Sequence, residues 1–134
     1  MDENTRIIIG IRLEKAHQDL EAVRQLTDSA IYRIAISRAY YAIFGITTAV
    51  LLTKDIDRSK HSGVQAAFGH YLIKPGIIEP EYGKIYSLLR RAREESDYSD
   101  YGQFTKDRAE KIMTDAARFV ARMERYLREV GAIG

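Results

Sequence analysis

Three short stretches of this 134-residue chain combine residue types that do chemistry. The first is Arg38-Ala39-Tyr40-Tyr41. A guanidinium entering an otherwise apolar run needs a carboxylate or carbonyl partner. Otherwise Arg38 and one tyrosine hydroxyl, such as that of Tyr41, line a pocket. The second stretch is Lys60-His61-Ser62-Gly63. Free N–H groups at a helix start, a basic side chain and a glycine that permits close approach make an anion site. The plainer alternative is a helix cap with a solvated lysine. The third is Arg90-Arg91-Ala92-Arg93, followed by Glu94-Glu95-Ser96-Asp97-Tyr98-Ser99-Asp100-Tyr101. Planar guanidinium forks suit phosphate, although arginines at a helix C-terminus also offset its dipole without any ligand. Tyr98 or Tyr101 would then be a stacking platform or a modifiable hydroxyl.

Other chemistries are excluded or disfavoured. There is no phosphate-binding P-loop, no Gly-rich dinucleotide turn, no His-Glu-x-x-His and no calcium loop. His17, His61 and His70 are far apart in sequence and no Glu-x-x-His pair occurs, so neither a metal nor a cofactor is expected. Without cysteine, a disulfide scaffold, a thiolate zinc site and a cysteine nucleophile are ruled out. The 21 Lys and Arg against 19 Asp and Glu leave a net charge of +2, too little for a bulk polyanion binder. From Arg90 to Lys111 the basic residues are matched by acidic ones, so any polyanion contact is local, a matter of a few phosphates.

The elements that position these stretches are helical. Ile9, Leu13, Ala16, Leu20 and Val23 repeat by four and three, with Asn4 or Thr5 as the expected cap and Thr27-Asp28-Ser29 as the break. A second segment, from about Ser29 to Lys54, is apolar around its whole circumference in its back half, as befits a helix covered on all sides. A short helix is expected from about Ser62 to Lys74-Pro75-Gly76. Another opens at Glu79-Pro80, with Tyr82, Ile85, Leu89 and Ala92 as its stripe. Glu94 to Gly102 has no apolar period and reads as a loop. A last helix runs from near Thr105 to Gly131. The expected fold is therefore a single all-α domain over residues 1–134, an antiparallel up-and-down bundle of four long helices plus one short helix. The polar, acidic start has no signal-peptide pattern, and the uncharged run Ala39 to Leu52 is short of the roughly 18 residues of a bilayer span. A cytoplasmic protein away from membranes is expected.

Ser37-Arg38-Ala39-Tyr40-Tyr41-Ala42-Ile43-Phe44, then Lys60-His61-Ser62-Gly63-Val64, then Arg90 to Tyr101, occur in an order that resembles the HEPN (higher eukaryotes and prokaryotes nucleotide-binding) domain, in its small stand-alone prokaryotic branch. The resemblance covers nearly the whole chain. It implies a helical bundle that forms a homodimer, often paired with a minimal nucleotidyltransferase in a toxin–antitoxin system. Many such domains are metal-independent ribonucleases whose motif is an Arg, four to six residues, then a His. In that chemistry the His moves the 2′-hydroxyl proton and the Arg stabilises the phosphorane charge. This sequence departs from the motif, since no His follows Arg90, Arg91 or Arg93 within reach. Asp97 follows Arg91 with five residues between them, and Tyr101 stands where some members carry a Tyr that the partner enzyme modifies. Asp97 is a weaker base than His near neutral pH.

Three readings follow. In the first, the protein is a nucleotide- or partner-binding module, companion to a minimal nucleotidyltransferase, with Arg38, Tyr41, Lys60, His61, Arg91 and Arg93 as ligand residues and Tyr98 or Tyr101 as modification sites. In the second, it is a divergent metal-independent ribonuclease toxin acting on RNA through Arg91 or Arg93 with Asp97 or His61. In the third, it is a plain bundle with structural polar patches. The distance from His61 to the Arg91/Arg93/Asp97 cluster separates them.

Overall fold

Five helices and no strands make up the computed structural model, which describes residues 1–134. Helix α1 spans Glu3–Asp28, α2 Tyr32–Leu52, α3 His61–Phe68, α4 Pro80–Tyr98 and α5 Lys106–Glu129. The bundle of four long helices and one short helix is as the periodicity requires.

Helix α2 is the axis on which the others pack. Ile36, Ala39, Tyr40, Ile43, Ile46 and Val50 are fully buried, on a surface kept smooth by alanines that let neighbouring helices approach. By length and composition alone α2 is apolar enough to cross a membrane, but most of its surface is covered by the bundle. Contacts fix the directions. Arg38 meets Asp19 and Ile31 N–H bonds Leu26 O, so α1 and α2 are antiparallel. Arg33 reaches the end of α4, and Arg118 and Arg122 on α5 reach Glu81 and Glu79 at the start of α4. The long helices therefore alternate in direction, and α3 is an excursion between α2 and α4.

Several boundaries differ from expectation, each for a physical reason. The N-cap of α1 is Asp2, not Asn4 or Thr5: its carboxylate accepts the Thr5 N–H at 2.7 Å. Helix α2 starts at Tyr32 rather than Ser29, because Ala30 adopts φ 60° and breaks the chain direction there. It stops at Leu52 instead of Lys54. The short helix starts at His61 and, after Phe68, widens into a π-helical turn over Gly69–Ile73. Glu94 to Tyr98, expected to be loop, continue α4. Their stabilisation is polar and invisible to an apolar-period test: Arg90–Glu94 and Arg93–Asp97 are i,i+4 ion pairs, and the buried positions there are Arg93 and Ser96. The lengthened α4 carries Tyr98 to the same cavity as Arg93 and His61 of α3.

Candidate functional site: an arginine–histidine cavity between α3 and α4

An open cavity of about 610 Å³ lies where the first turn of α3 faces the C-terminal half of α4. His61, Arg90, Arg91, Arg93 and Tyr98 line it, with Glu94 and Glu95 on its wall. Positions 90, 93, 94 and 97 share one face of α4 by helical spacing.

His61 is held by aromatic packing. Its ring stacks on Phe44 with centroids 4.5 Å apart and meets the edge of Tyr41 at 6.2 Å. The fully buried Tyr40 places its hydroxyl 2.7 Å from His61 Nδ1. Nε2 makes no hydrogen bond within the protein, so it is the nitrogen free to meet a ligand. Burial, and then the charges of Arg93 and Arg90, lower the His61 pKa below its ordinary 6.5, so the ring is neutral at neutral pH. Burial raises the Tyr40 pKa, so its hydroxyl keeps its proton.

Arg93 is 8% exposed. Its guanidinium carbon sits 5.1 Å from the Tyr40 ring centroid and 5.8 Å from that of Tyr41. Nη1 donates to Asp97 Oδ2 at 3.3 Å, while Asp97 Oδ1 accepts from Ser37 Oγ at 3.0 Å. Nε is buried without a partner. Burial opposes the charge on Arg93, but the Asp97 hydrogen bond and the neighbouring tyrosines outweigh it and raise the pKa further. Arg90 Nη1 donates to Gln65 Oε1 at 2.6 Å, and Gln65 in turn donates to Ser87 Oγ. Its Nε stands 3.3 Å from Glu94 Oε1 without a directed hydrogen bond. Arg91 is exposed and makes neither an ion pair nor a hydrogen bond.

The cavity rim is locked from behind. Arg33 Nη1 donates to Ser96 O at 2.7 Å and Ser99 O at 3.2 Å, satisfying free carbonyls at the end of α4. Phe104 lies beneath Arg33 at 4.3 Å and beside Arg108 at 5.8 Å. Arg108 forks onto both carboxylate oxygens of Glu95, whose pKa is lowered chiefly by that bond.

The structure thus brings His61, Arg91 and Arg93 together, with Tyr98 at the rim. Tyr41 contributes ring surface under Arg93. Asp97 backs Arg93 and is not among the residues lining the cavity. Arg38 lies outside it, half exposed and 3.5 Å from Asp19. Lys60 caps α3 through its backbone and also lies outside the lining. Tyr101 is 94% exposed. Sequence reasoning leaves open which of the adjacent tyrosine hydroxyls serves the pocket, naming Tyr41, and passes over Gln65, Arg33 and Phe104. Only the buried register of Tyr40 against α3 separates it from Tyr41.

The HEPN domain family model matches residues 10–126, nearly the whole bundle. The chain belongs to the HEPN family. Relatives match over most of their length. A Methanocaldococcus jannaschii protein named "Putative toxin MJ0605" is 37% identical over 130 residues, covering 97% of this chain and 96% of the relative. A Thermotoga maritima UPF0332 protein is 31% identical over 130 residues, covering 97% and 98%. A second M. jannaschii protein, "Putative toxin MJ0142", is 34% identical over 115 residues, covering 86% and 78%. In this HEPN chain the imidazole that faces the α4 arginines comes from α3, not from a position after them on α4.

Proposed function

We propose that this HEPN protein is a toxin–antitoxin-type module that binds a phosphate-bearing ligand, a nucleotide or RNA, in the cavity of His61, Arg90, Arg91 and Arg93. In this reading it works in the cytoplasm as a homodimer beside a minimal nucleotidyltransferase. One observation carries the ligand class: three guanidinium groups and a neutral imidazole converge on one open cavity, with an unpartnered, buried Arg93 Nε among them. Guanidinium forks match phosphate oxygens. With Tyr40 donating to Nδ1, the His61 Nε2–H becomes a further donor to a phosphate oxygen. The toxin names of two relatives support the system, and the nucleotidyltransferase partner is what the family resemblance implies. Calorimetry with AMP tests the binding: Arg91→Ala weakens it without loss of fold, and absence of AMP binding to the wild type overturns the reading. Sedimentation at micromolar concentration tests the homodimer, which a monomer contradicts.

The meeting of His61 with Arg93 also favours a second reading, metal-independent RNA cleavage. Here the Tyr40–His61 hydrogen bond runs the other way, with Nδ1–H donating to Tyr40 Oη and Nε2 bearing the lone pair. Nε2 takes the 2′-hydroxyl proton, the 2′-oxygen attacks phosphorus, and the 5′-oxygen leaves with a proton from water. Arg93 stabilises the added charge. Asp97 acts by holding Arg93. RNA cleavage in EDTA that Arg93→Ala and His61→Ala abolish is the expected result, and no cleavage under any condition contradicts it.

A further inference from the structure

Two cations on α4 have no carboxylate partner, Lys84 and Arg91. They stand seven residues apart, two turns on one face, about 10 Å along the axis. Between them runs a depression of about 450 Å³ lined by Lys84, Ser87, Leu88 and Arg91 together with Pro80 and Gly83, and no carboxylate lines it. Arg91 also lines the His61 cavity, so its side chain borders both openings. A third depression, about 290 Å³, leaves Arg91 on the other side, but its cations are already occupied: Arg108 with Glu95 and Lys111 with Asp115. Leu88 is 48% exposed between Lys84 and Arg91, an apolar surface inside a cationic track.

We propose that α4 carries a second phosphate subsite at Lys84, reached when a single-stranded polynucleotide seated in the His61 cavity passes over Arg91 and Leu88. This rests on the phosphate-binding reading above and specifies its ligand. A polynucleotide strand fits the alternation on the page: cation, apolar surface, cation, then the arginine-lined cavity with Tyr98 at its rim. Phosphates meet Lys84 and Arg91, and bases lie on Leu88 and the exposed Tyr98 ring.

The test compares AMP, ATP and a short 2′-O-methyl single strand, which resists cleavage, against wild type, Lys84→Ala and Leu88→Ala. Lys84 is exposed and unbonded, so its removal leaves the fold intact. Lys84→Ala should weaken strand binding about 3- to 10-fold at low salt and flatten its log K against log salt slope by about 0.7. AMP and ATP affinities should not change, and Leu88→Ala should weaken the strand alone. Unchanged strand affinity and salt slope in Lys84→Ala overturn the track, and point to another occupant such as an acidic protein segment. An equal loss for ATP also overturns it, in favour of a polyphosphate. Wild type that binds AMP and the strand alike refutes the track but spares the cavity, whereas wild type that binds none of the three refutes the phosphate reading itself.

Discussion

The Tyr40 hydroxyl and His61 Nδ1 are 2.7 Å apart, across the seam between the central helix and the first turn of α3. The two residues stand 21 positions apart in sequence, and their contact holds His61 at the cavity that the α4 arginines line. The hydrogen bond decides which tautomer of the neutral imidazole faces the cavity. With Tyr40 as donor, Nε2–H binds anions. With Tyr40 as acceptor, Nε2 is a base. Tyr40→Phe removes that control, and nitrogen NMR of His61 should show a redistribution between the two neutral tautomers. An unaltered spectrum would mean that Tyr40 does not set the tautomer.

The lowered His61 pKa makes a signed prediction about stability. In the unfolded chain the group returns to its ordinary 6.5, and in the folded protein it lies lower. Above 6.5 neither state is protonated and the full stability is present. As pH falls below 6.5 the unfolded chain takes up the proton first, so folding weakens until the folded-state pKa is passed. Melting temperature measured from pH 7.5 to 5, in wild type and in His61→Gln, should show a steeper decline in wild type over that window. Parallel curves would contradict the shift. Arg90→Gln removes one of the charges that lower the pKa and should raise it in an NMR titration.

Tyr86 offers a test of the core. Its side chain is fully buried, yet its hydroxyl has no hydrogen-bond partner, although the ring packs edge-on against Tyr40 at 6.0 Å. A buried, unsatisfied hydroxyl costs about 1–3 kcal/mol of desolvation. Tyr86→Phe should therefore be neutral or stabilising in denaturant unfolding. A loss of more than about 1 kcal/mol would show that the hydroxyl bonds Tyr40 in solution.

Gly102 tests the lock behind the rim. A Cβ there would come within 2.5 Å of Phe104 Cζ and 2.8 Å of Glu95 Oε1. Gly102→Ala must push Phe104 from beneath Arg33 or break the Glu95–Arg108 fork, a crowding cost of about 1–3 kcal/mol. Chemical denaturation should report that loss, with greater amide exchange at Ser99 and Tyr101. Wild-type stability would mean that the loop relaxes without using the lock.

The four long helices were legible because each carries an apolar stripe, or in α2 an apolar circumference, that only a helical period explains. The end of α4 was not legible, because what holds it is Arg93 under tyrosine rings and Arg33 on its last carbonyls, contacts between distant segments. The cavity was half legible. His61, Arg91 and Arg93 could be named from residue type, but only the folded chain selects Tyr40 over Tyr41 as the hydrogen-bond partner of His61 and sets Arg38 and Lys60 outside. A guanidinium paired with Asp19 across two helices looks, in sequence, the same as one awaiting a ligand.

The central claim is that phosphate binds among His61, Arg90, Arg91 and Arg93, and the three histidines make it directly measurable. His17, against Glu124, and His70, on the π-helical turn, are internal controls. Imidazole NMR resonances are followed while AMP is added at several pH values. The account predicts that His61 shifts saturably and that its pKa rises as the bound anion favours the charged ring, with His17 and His70 unmoved. A His61 resonance and pKa indifferent to AMP, or equal shifts at all three histidines, would contradict it.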